Sequence, residues 1–304
     1  MVRSPYLLSL LLAGSLAAQS SPAPGFRLFA PFGSLDTYLV DTNDVIVHTW
    51  HSDHPPIGAY LEDSGALLRP IYTPYLPNVP NIGGVGGGVQ RRAFDGSLKW
   101  QYLYASNFGW SHHDVATMPN GNILMIVWDR LTAADAFAMG RNPAYQTSNE
   151  WNPCAIIEVQ QTGLYTGAIV WEWHFMDHTI QDFDPTAPNF GVVGDHPEKL
   201  DINFPPEADL RGEWNHINTI DYDPVNDLIV IGSPYQNEFW IIDHSTTTAE
   251  AASNTGGNYG KGGGFLYRWG NPQSYRAGTA ADQQLFFHHG ANFIDEGLPG
   301  AGNT

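Results

Sequence analysis

Along most of this chain, short apolar runs with alternating polar positions are separated by clusters of Asp, Asn, Pro and Gly. Thr37-Tyr38-Leu39-Val40 leads through Asp41-Thr42-Asn43-Asp44 into residues 45–50. Residues 114–118 lead through Pro119-Asn120-Gly121-Asn122 into 123–128, and residues 216–223 lead through Pro224-Val225-Asn226-Asp227 into 228–231. Period-two alternation, β-branched content and turn residues at the breaks predict hairpins. A second unit, a glycine turn followed by an apolar pair and Trp, recurs at residues 95–100, 166–171 and 263–269. Hairpins repeated in this way predict an all-β chain organised as a β-propeller, with the tryptophans packed between blades. Two irregular stretches, 73–88 and 177–213, are dense in Pro, Gly and Asp and are expected on the rim. The run 83–88 lacks the Lys-Ser/Thr and the helix of a phosphate-binding loop and reads as a flexible linker.

Composition sharpens this picture. Of 304 residues, 42% are hydrophobic, enough for a substantial core, whereas only 14% are charged, which disfavours helical surfaces. The formal charge of −18 repels phosphate backbones and anionic lipid surfaces, so no nucleic-acid partner is expected. Met1-Val2-Arg3, an apolar run over residues 7–17 and small residues to Ala18 have the layout of a secretory signal. The expected organisation is therefore a signal over 1–18, a flexible lead-in over 19–25 and one propeller domain over 26–304. The mature protein would be exported, periplasmic or extracellular, with no membrane segment. Cys154 is the only cysteine, so stability must come from packing rather than from an intrachain disulfide. Residues 286–294 read as the opening of a further blade with no outgoing strands, which predicts a propeller lacking its last blade or blades.

Three histidine clusters stand beside predicted strands: His112-His113-Asp114, His216-Ile217-Asn218 and His288-His289-Gly290. Blades of one ring would bring them to a common central mouth. Imidazole serves as nucleophile, proton donor and proton acceptor near neutral pH, so such convergence points to group transfer. Alternation along a strand sends neighbours to opposite faces, so His112 and His288 are expected to be packing residues. Asp114 and Asn218 are candidates for orienting the rings. The pairs His51/His54 and His174/His178 lack a third-ligand pattern, so no metal is expected there, and residues 221–227 lack the glycine and distal glutamate of a calcium loop.

The ordered set His112-His113-Asp114-Val115, Met118-Pro119-Asn120-Gly121-Asn122, Glu213 to Tyr222, Glu238-Phe239-Trp240-Ile241-Ile242-Asp243, Leu266 to Pro272 and His288-His289-Gly290-Ala291 resembles the bacterial arylsulfate sulfotransferases over roughly residues 95–300. The resemblance implies a six-bladed propeller that moves a sulfuryl group from a phenolic sulfate ester to a phenol acceptor. The cycle would be ping-pong through a sulfohistidine, independent of phosphoadenosine phosphosulfate and without a cofactor. Carried over by position, His289 is the nucleophile, His113 and His216 assist it, and Asn218 and Arg268 are substrate-binding candidates. Protonated His113 or His216 would neutralise charge on the leaving oxygen. Where the family commonly has an arginine, this chain has Pro234, and Arg268, Arg130, Arg141 or the second histidine of a pair are the available substitutes, although Arg268, in the Tyr-Arg-Trp-Gly element, reads more readily as an inter-blade structural residue. The rival readings are a non-catalytic propeller binding a ligand or protein partner at its rim, and a quinone-dependent dehydrogenase. Oligomeric state is left open.

Overall fold

The computed structural model describes residues 25–205 and 212–304. The expected secretory signal, 1–18, and all but the last residue of the lead-in lie outside the described residues. The described residues are predominantly β-sheet. A three-stranded sheet comprises β1 (Arg27–Phe29), β2 (Asp36–Val40) and β3 (Ile46–His51), and β4 (Tyr60–Leu61), β5 (Leu67–Tyr72), β6 (Gly87–Arg92) and β7 (Leu98–Leu103) form a four-stranded meander. In the third sheet the hairpin β8 (Gly109–Thr117) and β9 (Ile123–Asp129) is followed by the small pair β10 (Leu131–Thr132) and β11 (Glu150–Trp151). The chain then returns as β12 (Cys154–Gln161) and β13 (Gly167–His174), giving the order β13-β12-β9-β8. A parallel pair, β14 (Thr179–Ile180) and β15 (Leu200–Asp201), precedes the fourth sheet: β16 (Thr219–Asp223), β17 (Leu228–Ser233), β18 (Glu238–Asp243) and β19 (Tyr267–Trp269).

The turns fall where the polar clusters predict them, and each of the three needs a residue that tolerates a left-handed backbone: Asp44 at φ +63, Gly121 at φ +84 and Asp227 at φ +56. The inner strands of the third and fourth sheets are covered on both faces, so the unbroken runs Ile123 to Trp128 and Ile229 to Ile231, with Ile156 and Ile157, all lie in the core. Residues 284–304 contain no strand, contrary to the expected further blade. The Phe293 amide bonds the Asp221 side chain at 2.9 Å instead of a ladder partner. The stretch 83–88 is likewise not a free linker. Val85 bridges His112, Gly86 donates to Ser111 O at 3.1 Å, and Gly87 opens β6.

Consecutive sheets are joined by the same contact three times. In the last strand of one sheet an indole N–H reaches the turn between the third and fourth strands of the next. Trp50 donates to Ala93 O at 3.0 Å, Trp100 to Thr166 O at 3.0 Å, and Trp171 to Thr246 Oγ1 at 3.1 Å. Each pairs a large buried ring with a satisfied donor. Trp269, in the corresponding strand β19, is 41% exposed, unlike the packed tryptophans expected throughout.

The seam between the third and fourth sheets also carries charge. His244 Nδ1 lies 2.6 Å from Asp227 Oδ1 and Nε2 lies 3.2 Å from Glu158 Oε2, which also accepts at Oε1 from Asn122. Burial opposes a charged ring here, but the two carboxylates win and raise the pKa of His244, while the same pairing lowers that of Glu158. Because the folded value of His244 lies above its ordinary 6.5, its stabilisation is complete below that pH and is lost as pH rises through the raised value. The Glu158 share is present above its ordinary 4.5 and lost as pH falls through the lowered value. His244→Gln is therefore expected to cost about 2 kcal/mol in denaturant unfolding between these limits and progressively less at alkaline pH.

Candidate active site

The first histidine cluster owes its geometry to an irregularity in β8. Ser111 pairs with Val127 and Val115 with Met125, so His112, His113 and Asp114 together stand opposite Ile126. A bulge of this kind abolishes alternation and re-aims side chains. His113 takes a left-handed backbone at φ +49. His112 turns inward, stacked on Trp128 at 3.9 Å, with Nε2 3.5 Å from Cys154 Sγ. Its Nδ1 lies 2.8 Å from His113 Nδ1, so the expectation that strand alternation separates the two rings does not hold. His113 itself lines an open pocket of about 330 Å³ together with Phe32, Ile57, Gly58, Tyr60, Gly84, Asp114 and Asn218.

His216 enters from the segment before β16, also left-handed at φ +43. Its neighbours are pinned to the start of β12: Cys154 N donates to Asn215 Oδ1 at 3.0 Å and Ile217 N to Cys154 Sγ at 3.3 Å. His216 Nδ1 faces Glu213 Oε1 at 2.7 Å, and neither atom has another hydrogen-bond partner. Tyr235 stacks on His216 at 5.1 Å and donates its hydroxyl to Glu213 Oε2 at 2.8 Å. The rings of His113 and His216 meet edge to face, with centroids 4.5 Å apart. Two non-glycine residues held left-handed at one contact cost about 1 kcal/mol or more each, strain that the surrounding packing must hold in place.

The glycines of the 83–88 stretch make this contact possible. A Cβ on Gly84, whose φ is +72, would overlap the His113 ring, and one on Gly83 would lie 3.7 Å from His216 Cε1. His113 N donates to Gly84 O at 2.9 Å, so the loop and the ring fix each other.

The third cluster lies in the irregular segment after β19. Asn218 Nδ2 donates to His288 O at 3.1 Å, and Phe287 N donates to Asn237 Oδ1 at 2.6 Å. The His288 ring packs over Gly232, where a Cβ would come within 3.0 Å of Nε2. His289 is exposed, with Nδ1 3.3 Å from Phe287 O, and Phe287 stands between it and Tyr235 at 5.6 and 5.8 Å. The structure thus brings His113 and His216 into contact, and leaves His289 outside that contact but close enough to act electrostatically on His113.

Burial, reinforced by His216 and His289, pushes the pKa of His113 down to about 3, and burial holds His112 well below its ordinary value. Near neutral pH His113 is therefore uncharged, against the expectation of a protonated helper. Arg268 follows its structural reading and not its candidacy for substrate binding. Its guanidinium is committed to Glu238 at 2.7 Å, to Ser274 and to the carbonyls of Pro197 and Lys199, a structural cluster rather than a substrate contact. Arg130 and Arg141 likewise donate to backbone carbonyls. Asn218 does line the pocket, although its amide nitrogen is occupied by the His288 carbonyl. At the position expected for an arginine, Pro234 leads into Tyr235, which clamps His216 and Glu213. His54 contacts Tyr75, His174 pairs with Asp129 and Glu172, and His178 donates to Ala251 O, which places all three in local networks.

The arylsulfotransferase (ASST) family model matches residues 94–250, just over half the chain and inclusive of His113 and His216. The chain belongs to the arylsulfotransferase family. Members of this family act on aryl sulfates and phenols. No curated protein matches the chain. Among solved structures, it is similar to a Kuenenia stuttgartiensis hydrazine synthase chain at 14% identity and TM-score 0.43, covering 79% of this chain and 58% of that one. A protein of unknown function from Bacteroides caccae matches at 10% identity and TM-score 0.35, covering 83% and 74%. Kluyveromyces lactis Hsv2 matches at 8% and 0.27, covering 72% and 58%. The chain therefore spans less than two thirds of the hydrazine synthase chain.

In this member of the family, the sequence does not single out Glu213, Tyr235 or Gly84 as site residues. Glu213, three residues before His216 inside a quoted motif, offered a local signal; the other two are recognisable only from contacts across sheets. Gly84→Ala is expected to lower stability by more than Gly96→Ala. Both glycines are left-handed, but a Cβ at Gly96 meets open space, so its cost is backbone strain of about 1 kcal/mol. Denaturant melts of the two variants isolate the ring contact, and equal losses contradict it.

Proposed function

We propose that the protein is an exported arylsulfotransferase in which His289 takes a sulfuryl group from an aryl sulfate and passes it to a phenol, assisted by His113 and His216. On this reading the sheets are blades of a six-bladed propeller, and the repeated tryptophan joints between consecutive sheets support that arrangement. Export rests on the leader-like composition of residues 1–18.

The observation that carries the reading is the contact of His113 and His216, one from each of two neighbouring sheets, beside an open pocket lined by His113 and with an exposed His289 within electrostatic reach of that ring. A neutral ring nitrogen of His289 attacks sulfur in line as the phenolate leaves, and the resulting N–S bond passes the group onward. By analogy with phosphoryl transfer, charge gathers on the leaving oxygen. His113, uncharged in the free protein, supplies a neutral N–H donor. It donates to the leaving oxygen without itself being charged, in a site whose arginines are engaged elsewhere.

With a chromogenic aryl sulfate and excess phenol, the protein is expected to form sulfated acceptor. His289→Ala is expected to reduce this to background, and His113→Gln to slow it about 100- to 10,000-fold. Tight binding of the aryl sulfate without turnover identifies a non-catalytic binder instead, and unchanged turnover in His289→Ala removes the nucleophile assignment.

A further inference from the structure

The pocket beside His113 has a chemistry that the histidines do not explain. Its walls are a flat apolar and aromatic set, Phe32, Ile57 and Tyr60, and a volume of about 330 Å³ suits a single aryl ring with substituents. At its inner end, next to His113, lies the carboxyl of Asp114, brought there by the same bulge. Oδ1 accepts from Val115 N at 2.9 Å and from the Tyr60 hydroxyl, and Oδ2 accepts from Ile220 N at 3.3 Å. A carboxylate offers about four acceptor positions, so one on Oδ2 is left for a ligand. The Tyr60 contact shows that this carboxylate is shaped to receive a phenolic O–H.

We propose that this pocket is the acceptor subsite and that Asp114 is the general base for the acceptor phenol. The inference rests on the sulfuryl-transfer reading and extends it to the second half of the cycle. The acceptor ring lies against Phe32, Ile57 and Tyr60, and its hydroxyl points to Oδ2. As its oxygen bonds to sulfur, the O–H proton passes to Asp114. The N–S bond to His289 breaks and its electron pair returns to the ring nitrogen. Asp114 then releases the proton to water through the open pocket. Burial raises the carboxyl to about 6, with Tyr60, Val115 and Ile220 opposing the rise and Asp221 on β16 adding to it. A base of this strength is ionised at neutral pH yet stronger than a surface carboxylate. The other titratable groups facing it are Tyr60 from β4, His113 and Asp221.

The test is Asp114→Asn, which keeps an acceptor for Tyr60 and removes the base. In single-turnover kinetics, release of nitrophenolate from a nitrophenyl sulfate donor, a leaving group that needs no proton, is expected to be unchanged. Transfer to a weakly acidic phenol is expected to fall about 100-fold or more, and transfer to an acidic nitrophenol far less. Equal slowing of both half-reactions, or undiminished transfer, overturns the assignment. A second arm needs no turnover. Binding of phenol itself, followed by chemical-shift change at Gly84 and Gly58, is expected to tighten as pH rises through about 6 in the wild type and to lose that dependence in the variant. PH-independent binding, or shifts confined to other sites, overturns the subsite even if the protein transfers no sulfuryl group. Conversely, the predicted binding profile without any donor burst upholds the subsite while sinking the transferase reading.

Discussion

The site depends on one edge-to-face contact between His113 and His216, made by two residues whose backbones are left-handed. Neither conformation is favourable for a side chain with a Cβ, so each must be imposed from outside. For His113 the imposition is the β8 bulge and Gly84, which lies against its ring and accepts its backbone N–H. For His216 it is the clamp of Glu213 and Tyr235 together with the hydrogen bonds that tie Asn215 and Ile217 to Cys154. The buried tryptophan seams hold the sheets that carry these elements in fixed relation, so stability of the framework and precision of the site are coupled. Removing a seam contact loosens the frame, whereas removing Gly84 acts on the ring directly.

Electrostatically, the arrangement is unusual for a site proposed to handle sulfate. The protein carries a formal charge of −18, and Arg268, Arg130 and Arg141 are engaged in structural contacts. The cluster instead concentrates groups whose charge is suppressed by burial: His112, His113 and His288 are held below the usual imidazole range, and Asp114 is held above the usual carboxylate range. Protonating a ring held at about 3 costs several kcal/mol near neutral pH, so His113 meets an arriving anion as a neutral N–H donor. On the proposed reading neutral imidazole donors stand where the family commonly has a guanidinium. The raised carboxyl of Asp114, by contrast, exchanges its proton close to neutral pH.

Much of the fold was legible in the sequence. The turns at 41–44, 119–122 and 224–227 are written in residues that accept tight or left-handed geometry, and the strands beside them follow a period of two. The three histidine clusters were legible as a set because motif order survives where spacing does not. What escaped was governed by contacts remote in the chain. The bulge at His112–Asp114 is stabilised by a glycine loop some 30 residues away, so local alternation gave the wrong facing for His112. The 83–88 run has the composition of a linker, and only the ring lying on it reveals why glycine is required. Residues 286–294 have the apolar spacing of a strand, but the hydrogen bonds of 286–304 go to the Asp221, Asn237 and Asn218 side chains or close within the segment. Arg268 sits in an attractive motif, yet Glu238 and Ser274 claim it.

The account stands most directly on where the sulfuryl group rests between donor and acceptor. The protein should be incubated with an aryl sulfate in the absence of phenol, quenched in alkali to preserve an N–S bond, and mapped by peptide mass spectrometry. The account predicts the modification on His289 alone, in stoichiometric yield and discharged on addition of phenol. A sulfuryl group on another residue, or none while the phenolate is released, contradicts it.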